Sequence, residues 1–343
     1  MPMHIINLRL REKVLFFLIW KGARQMGEID IFTKEYMSNP KYFADAFNYY
    51  FFKGKQGVKP EDLIVCDTAE LLAYDDEDDM IPNQKFRDVL KMWTVMTSED
   101  ASYMLLGIEN QASIHYAMPV RSMLYDALNY SSQVNETGKK HREKKDAKGD
   151  EFLSGFRKSD VIKPVFTLVI YWGTKEWDAP KSLFEMMYIK DEMTEIVREY
   201  VNDYKVHVIV PSEINNFEWF ATELGYCLRY IQSSTKKQNL IKLLEDYREV
   251  YAKFDKQSGN LIQVVTNTKL PKTENEEEIV DMCEAIEEMI NDAREEERKA
   301  AKEAAKEAAR NCFINGADID FVIKSITTLT EEEIISIYKE IGN

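Results

Sequence analysis

The sequence predicts a layered protein of the α/β (α+β) class, with a mixed central sheet flanked by helices. Two short apolar runs bounded by turn residues, Val165–Gly173 and Val206–Val210, read as buried strands. Around them apolar residues recur at three- and four-residue spacing, the helical period. Hydrophobic residues make up 45% of a 343-residue chain, enough for one large core or two smaller ones.

Residues 1–29 read as an N-terminal extension. Arg9, Arg11 and Lys13 precede the apolar run Val14–Trp20, which is far short of the ~20 residues a spanning helix needs. Lys21–Gln25 makes a poor signal-cleavage region, so a native start at Met26 is the expectation. A core of residues 30–260 follows. Its first helix is signalled by Asn39-Pro40 and the stripe Tyr42, Phe43, Ala46, Phe47, Tyr50 and Phe51, with Asp45 and Asn48 off that stripe. The acidic run Asp75–Asp79 reads as a solvated loop. Strands are expected over Phe86–Met96 and Tyr103–Ile108, joined by a hairpin turn at Ser98–Asp100. From Pro119 to about Val134 the spacing is helical, and Lys139–Lys148, with six Lys/Arg, reads as a basic polar loop. Helices are expected over 182–202 and 216–254.

Residues 261–317 read as a linker and a long helical arm. Ile279, Met282, Ile286, Met289 or Ile290, and Ala293 form a heptad-like seam, and Lys299–Ala309 is rich in strong helix formers. Asn315-Gly316 stops the arm. A helical hairpin over 318–343 follows, opened by Asp318 and by the capping box Thr330–Glu333. The alanine-rich half buries little area per residue, which favours a homodimer through 279–293 over a helix folded back on its own core.

The net charge is −15, but residues 273–343 hold 20 acids against 8 basic residues. That accounts for −12 and leaves the body near neutral, so the overall acidity does not exclude a nucleic-acid partner. The four cysteines form no C-x-x-C pair and the four histidines no H-x-H or H-E-x-x-H spacing. A disulfide framework and a Cys- or His-built zinc site are thereby disfavoured, and a cytoplasmic protein without a membrane partner is expected.

The chemistry-bearing stretch is Lys85–Lys91 followed by Leu105–Gln111. Along a strand Glu109 and Gln111 share a face, ~6.6 Å apart, with Asn110 on the other. If the turn pairs the two strands, Asp88 sits beside Glu109, and two carboxylates on neighbouring strands make a hard-oxygen cation site of the kind Mg²⁺ uses. By spacing alone an Asp and an E-x-Q are common, and a solvated strand end is the commoner explanation. Arg121 and Tyr125, four apart on the following helix, read either as phosphate contacts or as a buried ion pair and a packed ring. Lys139, Lys140 and Arg142 read as a backbone-tracking patch or a plain solvated loop.

The ordered words Phe43–Asn48, Arg87-Asp88, Leu106–Gln111, Ile114–Arg121, Met123–Ala127, Glu151–Phe156, Thr167–Gly173 and Trp177–Leu183 are more specific. Together they resemble the recombination-promoting nuclease (Rpn) / transposase family of the PD-(D/E)XK nuclease superfamily, over about residues 26–330. The resemblance implies a restriction-endonuclease-like core and a divalent-metal-dependent DNA endonuclease linked to recombination or mobile elements, using Mg²⁺ or Mn²⁺. It implies metal ligation by Asp88 and Glu109, with Asp45 as an outer ligand and Gln111 orienting the attacking water. Gln111 stands where the superfamily usually has Lys, and a neutral amide supplies no positive charge. The competing expectation is a catalytically silent DNA- or protein-binding module that oligomerises through its arm.

Overall fold

A computed structural model describes residues 27–66, 88–96, 101–268 and 279–341. The extension through Met26, the acidic run Asp75–Asp79, the stretch Lys85–Arg87 and the turn Ser98–Asp100 lie outside the described residues. Two compact units divide the chain, one ending at Val280 and one starting at Asp281.

The first unit opens with helix α1 (27–38) and helix α2 (Pro40–Phe52). Between them the Asn39 side chain accepts the Lys41 N–H at 3.0 Å, and Pro40, which has no N–H to satisfy, fits the first turn. Lys53 and Gly54 end α2 in the left-handed region, with the Gly54 N–H returning to the Asn48 carbonyl. A Cβ on Gly54 would stand 2.9 Å from the Trp219 backbone, so this position needs glycine on both counts.

Five strands form one mixed sheet in the order β1 (Leu63–Val65), β2 (Val89–Met96), β3 (Ala101–Gln111), β4 (Val165–Tyr171), β5 (His207–Ile209). The first three run antiparallel, while β3–β4 and β4–β5 are parallel. The β3–β4 crossover holds the short helix α4 (Asp150–Ser154) after helix α3 (Met118–Lys144), which covers one face of the sheet. There Met118 packs with Val169 and Val208, Tyr130 packs against Leu90, Leu105 and Val165, and Thr167 donates to Asp126 at 2.7 Å. On the other face α2 lays Phe52 against Trp93 and Phe51 against Phe166 and His207. Lys91 is buried there: its Nζ donates to the Ser38 carbonyl at 2.6 Å, at the C-terminus of α1 where a cation suits the helix dipole.

Asp45 and Asn48, expected off the buried stripe, are both buried, because α2 is covered nearly all round its middle turns. Asn48 is satisfied by both backbone groups of Val58, each at 2.8 Å. The 182–202 segment departs further from expectation. It holds two single 3₁₀ turns and one short helix, α5 (Thr194–Tyr200). Its start is claimed by a bridge between Ser182 and Lys205 and by the Asp203 carboxylate, which accepts the Phe184 N–H at 3.0 Å. The 216–254 region carries α6 (Glu223–Ser233), α7 (Lys237–Asp246) and α8 (Arg248–Tyr251). Helix α9 (Lys256–Thr266) packs on α6, and β6 (Phe254–Asp255) pairs with β7 (Ile279–Val280), so the unit runs past residue 260.

In the second unit α10 (Met282–Ile314) is capped by Asp281, whose carboxylate accepts the N–H groups of Cys283 and Glu284. Helices α11 (Ile319–Ser325) and α12 (Glu331–Ile341) close a small core of Ala309, Phe313, Val322, Leu329, Ile334 and Ile337. The capping box forms as expected, Thr330 and Glu333 exchanging side-chain and backbone bonds at 3.1 and 3.3 Å. The seam side chains Ile286, Met289, Ile290 and Ala293 lie outside the described residues.

The 139–148 segment is not a loop throughout. Strong helix formers carry α3 to Lys144, and Lys145 at φ 53° ends it. His141 sits between two carboxylates, its Nδ1 2.8 Å from Asp146 and its Nε2 2.7 Å from Asp160, with Arg157 also bridged to Asp146. Those bonds to Asp146 and Asp160 raise the His141 pKa. The stabilisation from the charged ring is therefore complete below about pH 6.5, the ordinary histidine value, and is lost as pH rises through the higher folded value. The two aspartates, whose pKa values are lowered, lose their share only on the acid side. His141→Gln should show a smaller fall in Tm than wild type between about pH 6 and pH 9. Parallel profiles for the two proteins would contradict a charged ring.

Candidate functional site

The β2–β3 register pairs Val89 with Ile108, which sets Asp88 across from Glu109 at the end of the antiparallel pair. Asp88 lies just before β2 and reaches over, its Oδ2 accepting the Asn110 N–H at 2.7 Å. Burial pushes the Asp88 pKa up, against the opposing pull of the Asn110 N–H and of the positive charges of Lys34 and Arg121, while Asp30 adds to the rise. Asp30 and Lys34 belong to α1 and Arg121 to α3, so two elements bring charge to Asp88.

Glu109 is 0% exposed. Its Oε1 accepts from the Arg121 guanidinium and from the Gln111 amide, the latter at 3.3 Å. Gln111 also donates to the Asn110 carbonyl at 2.9 Å, which fixes its amide beside the carboxylate. Arg121, on the first turn of α3, gives its Nε–H to the Tyr125 hydroxyl at 3.2 Å, one helical turn on. Burial lowers the Arg121 pKa, but Glu109, Tyr125 and Asp88 more than reverse this and hold the guanidinium charged. The Tyr125 phenol is raised by burial first and by the Glu109 charge second. Asn110 points to the opposite face, where its Oδ1 accepts the Trp172 indole N–H at 2.9 Å. The strand alternation therefore divides a chemical face, Glu109 and Gln111, from a structural one.

Asp88, Glu109, Gln111, Arg121 and Tyr125 are thus brought together. Asp45 is not part of this group. Its Oδ1 accepts the Ala221 N–H at 2.9 Å, and its Oδ2 accepts the Thr222 N–H and hydroxyl at 3.0 and 2.5 Å. It anchors the start of α6, and its pKa is raised by burial against those donors. Lys139, Lys140 and Arg142 are exposed near the far end of α3. At 1.5 Å per residue they lie roughly 30 Å along the helix from Arg121. Sequence reasoning missed Asp30 and Lys34, whose only signal was their four-residue spacing.

Among the described residues no group of three or more His, Cys, Asp or Glu side chains could hold a metal. The donor set of two opposed carboxylates and an amide nevertheless fits Mg²⁺ or Mn²⁺, which need only one or two protein carboxylates beside water and substrate oxygens. No family model, no curated protein and no solved structure matches the chain. Among the described residues no helix is long and apolar enough to cross a membrane.

Asp45→Ala leaves three donors at Ala221 and Thr222 without their acceptor. A loss of about 2–4 kcal/mol in denaturant stability is expected, with Mn²⁺ affinity unchanged. Weakened Mn²⁺ binding at unaltered stability would return Asp45 to the cation site.

Proposed function

We propose that the chain is a divalent-metal-dependent DNA endonuclease of the recombination-promoting nuclease / transposase family, with a PD-(D/E)XK-type core. The observation that carries this reading is the convergence of Asp88 and Glu109 across an antiparallel strand pair, with Gln111 fixed beside Glu109. The five-stranded mixed sheet with helices on both faces supports it, being the layered architecture that the resemblance implies.

In this reading Asp88 and Glu109 hold the cation. Gln111 orients the attacking water through its amide, which accepts as well as donates. A Mg²⁺ or Mn²⁺ ion bound there supplies acidification of that water and charge stabilisation at the phosphodiester. Arg121 and Tyr125 stand next to the carboxylates, placed to meet a phosphate. Helix α3 then runs toward Lys139, Lys140 and Arg142, a spacing of about nine base pairs at 3.4 Å each, so one duplex can touch both ends. The four cysteines are free, which supports a reducing, cytoplasmic setting. A homodimer through 279–293 would bring two such sites together for two-strand cutting, and a monomer mass by light scattering at high concentration would count against it.

One observation favours the second reading, a catalytically silent DNA- or protein-binding module. Arg121 already neutralises Glu109, and Gln111 replaces the usual charged residue. Plasmid cleavage with Mg²⁺, Mn²⁺, Ca²⁺ or EDTA separates the two. Nicking is expected only with Mg²⁺ or Mn²⁺, falling by about a hundredfold or more in Asp88→Ala and Glu109→Ala. Undiminished cutting by folded Asp88→Ala would overturn the assignment, and no cutting by wild type under any metal would favour the silent module.

A further inference from the structure

We infer that Arg121 is a positioning residue that holds Glu109 in the absence of substrate and restrains cation binding until an anionic phosphate draws it away. The inference rests on the reading of Asp88 and Glu109 as cation ligands.

The geometry behind it is specific. The Arg121 guanidinium lies on Oε1 of a carboxylate that is fully buried, and its charge also reaches Asp88. A divalent ion between the two carboxylates would meet a fixed positive charge a few ångströms away, in surroundings where charges interact far more strongly than in water. Either the cation binds weakly or the guanidinium moves. Arg121 is the more accessible of the pair, its side chain 20% exposed against 1% for Glu109, which makes it the partner that can turn toward an incoming anion. Among the described residues its other hydrogen bond goes to the Tyr125 hydroxyl at 3.2 Å on the same helix. A phosphate diester offers a guanidinium the same planar pair of acceptor oxygens as a carboxylate. Exchange of Glu109 for phosphate then removes the repulsion at the moment the substrate arrives. Cation and nucleic acid would bind with positive coupling, and by linkage each would tighten the other equally. Glu109 in the free protein would stay paired with Arg121, which suits a site that leaves metal unbound until DNA is present.

Calorimetric titration of Mn²⁺ into the whole protein without nucleic acid tests this. Arg121→Gln should bind Mn²⁺ about tenfold or more tighter than wild type, and Arg121→Lys, which keeps the charge, should remain near wild type. Tyr125→Phe removes one tethering oxygen while keeping the ring. It should shift affinity the same way by a smaller factor and decides the matter if Arg121→Gln fails to fold. Equal or weaker binding in Arg121→Gln and Tyr125→Phe, with a wild-type site that Glu109→Gln abolishes, would overturn the restraint and leave the cation site standing. Failure of every variant to bind Mn²⁺ at a Glu109-dependent site would instead remove the cation site and this inference with it. A purely structural Arg121 gives lower stability without tighter metal binding.

Discussion

A carboxylate with no solvent exposure, Glu109, sits at the end of a central strand, and its surroundings are arranged to keep it charged. Removing a carboxylate from water costs several kcal/mol unless opposite charge and hydrogen bonds replace the lost hydration. Arg121 and Gln111 supply both. This requirement ties the first turn of α3 to the end of β3, and so fixes how the crossover helix begins. From that point the helix covers the sheet face through Met118, Asp126 and Tyr130. Replacing such a pair by apolar residues would often leave stability unchanged or improved, so the pair is not required for folding stability alone.

The opposite face of the sheet also uses polar groups, but each is spent on structure. Asn110 holds the Trp172 indole, Lys91 caps the end of α1, and Asp45 gathers three donors at the start of α6. All three are buried, and the Asn110 side-chain oxygen, the Lys91 ammonium and the Asp45 carboxylate each have a partner, as low-dielectric interiors favour. The contrast between the faces arises from one residue of offset along β3. Glu109 and Asn110 are neighbours in the chain with unrelated tasks, because successive side chains point to opposite sides of the sheet.

Much of this was legible from local pattern. The apolar runs at 165–173 and 206–210 marked β4 and β5, Asn39-Pro40 marked the start of α2, and Thr330–Glu333 marked the cap of α12. The facing of Asp88 and Glu109 also followed from alternation and one assumed hairpin. Local pattern misled at Lys139–Lys148, where charge suggested a loop although Lys, Arg and Glu are good helix formers and no Gly or Pro intervenes before Lys145. It misled again at 182–202, where a helical period gave way to a bridge with Lys205 and a hydrogen bond accepted by Asp203. Both partners of that rearrangement are some twenty residues distant, beyond the reach of any periodicity.

By itself the sequence determined the class of fold, the order of its main elements, and the facing of one carboxylate just before β2 with one on β3. These depend on side-chain period and turn chemistry, which act over a few residues. The tertiary structure alone decided which polar residue serves which purpose. Asp45, on α2, and Asp88, at the edge of β2, are both acids beside apolar residues with nothing local to distinguish their roles. One meets the backbone of residues 221 and 222, and the other meets Asn110 within reach of the Arg121 charge. A carboxylate's role is set by the donors and charges that long-range packing brings to it, because burial makes those few neighbours, rather than water, its solvent.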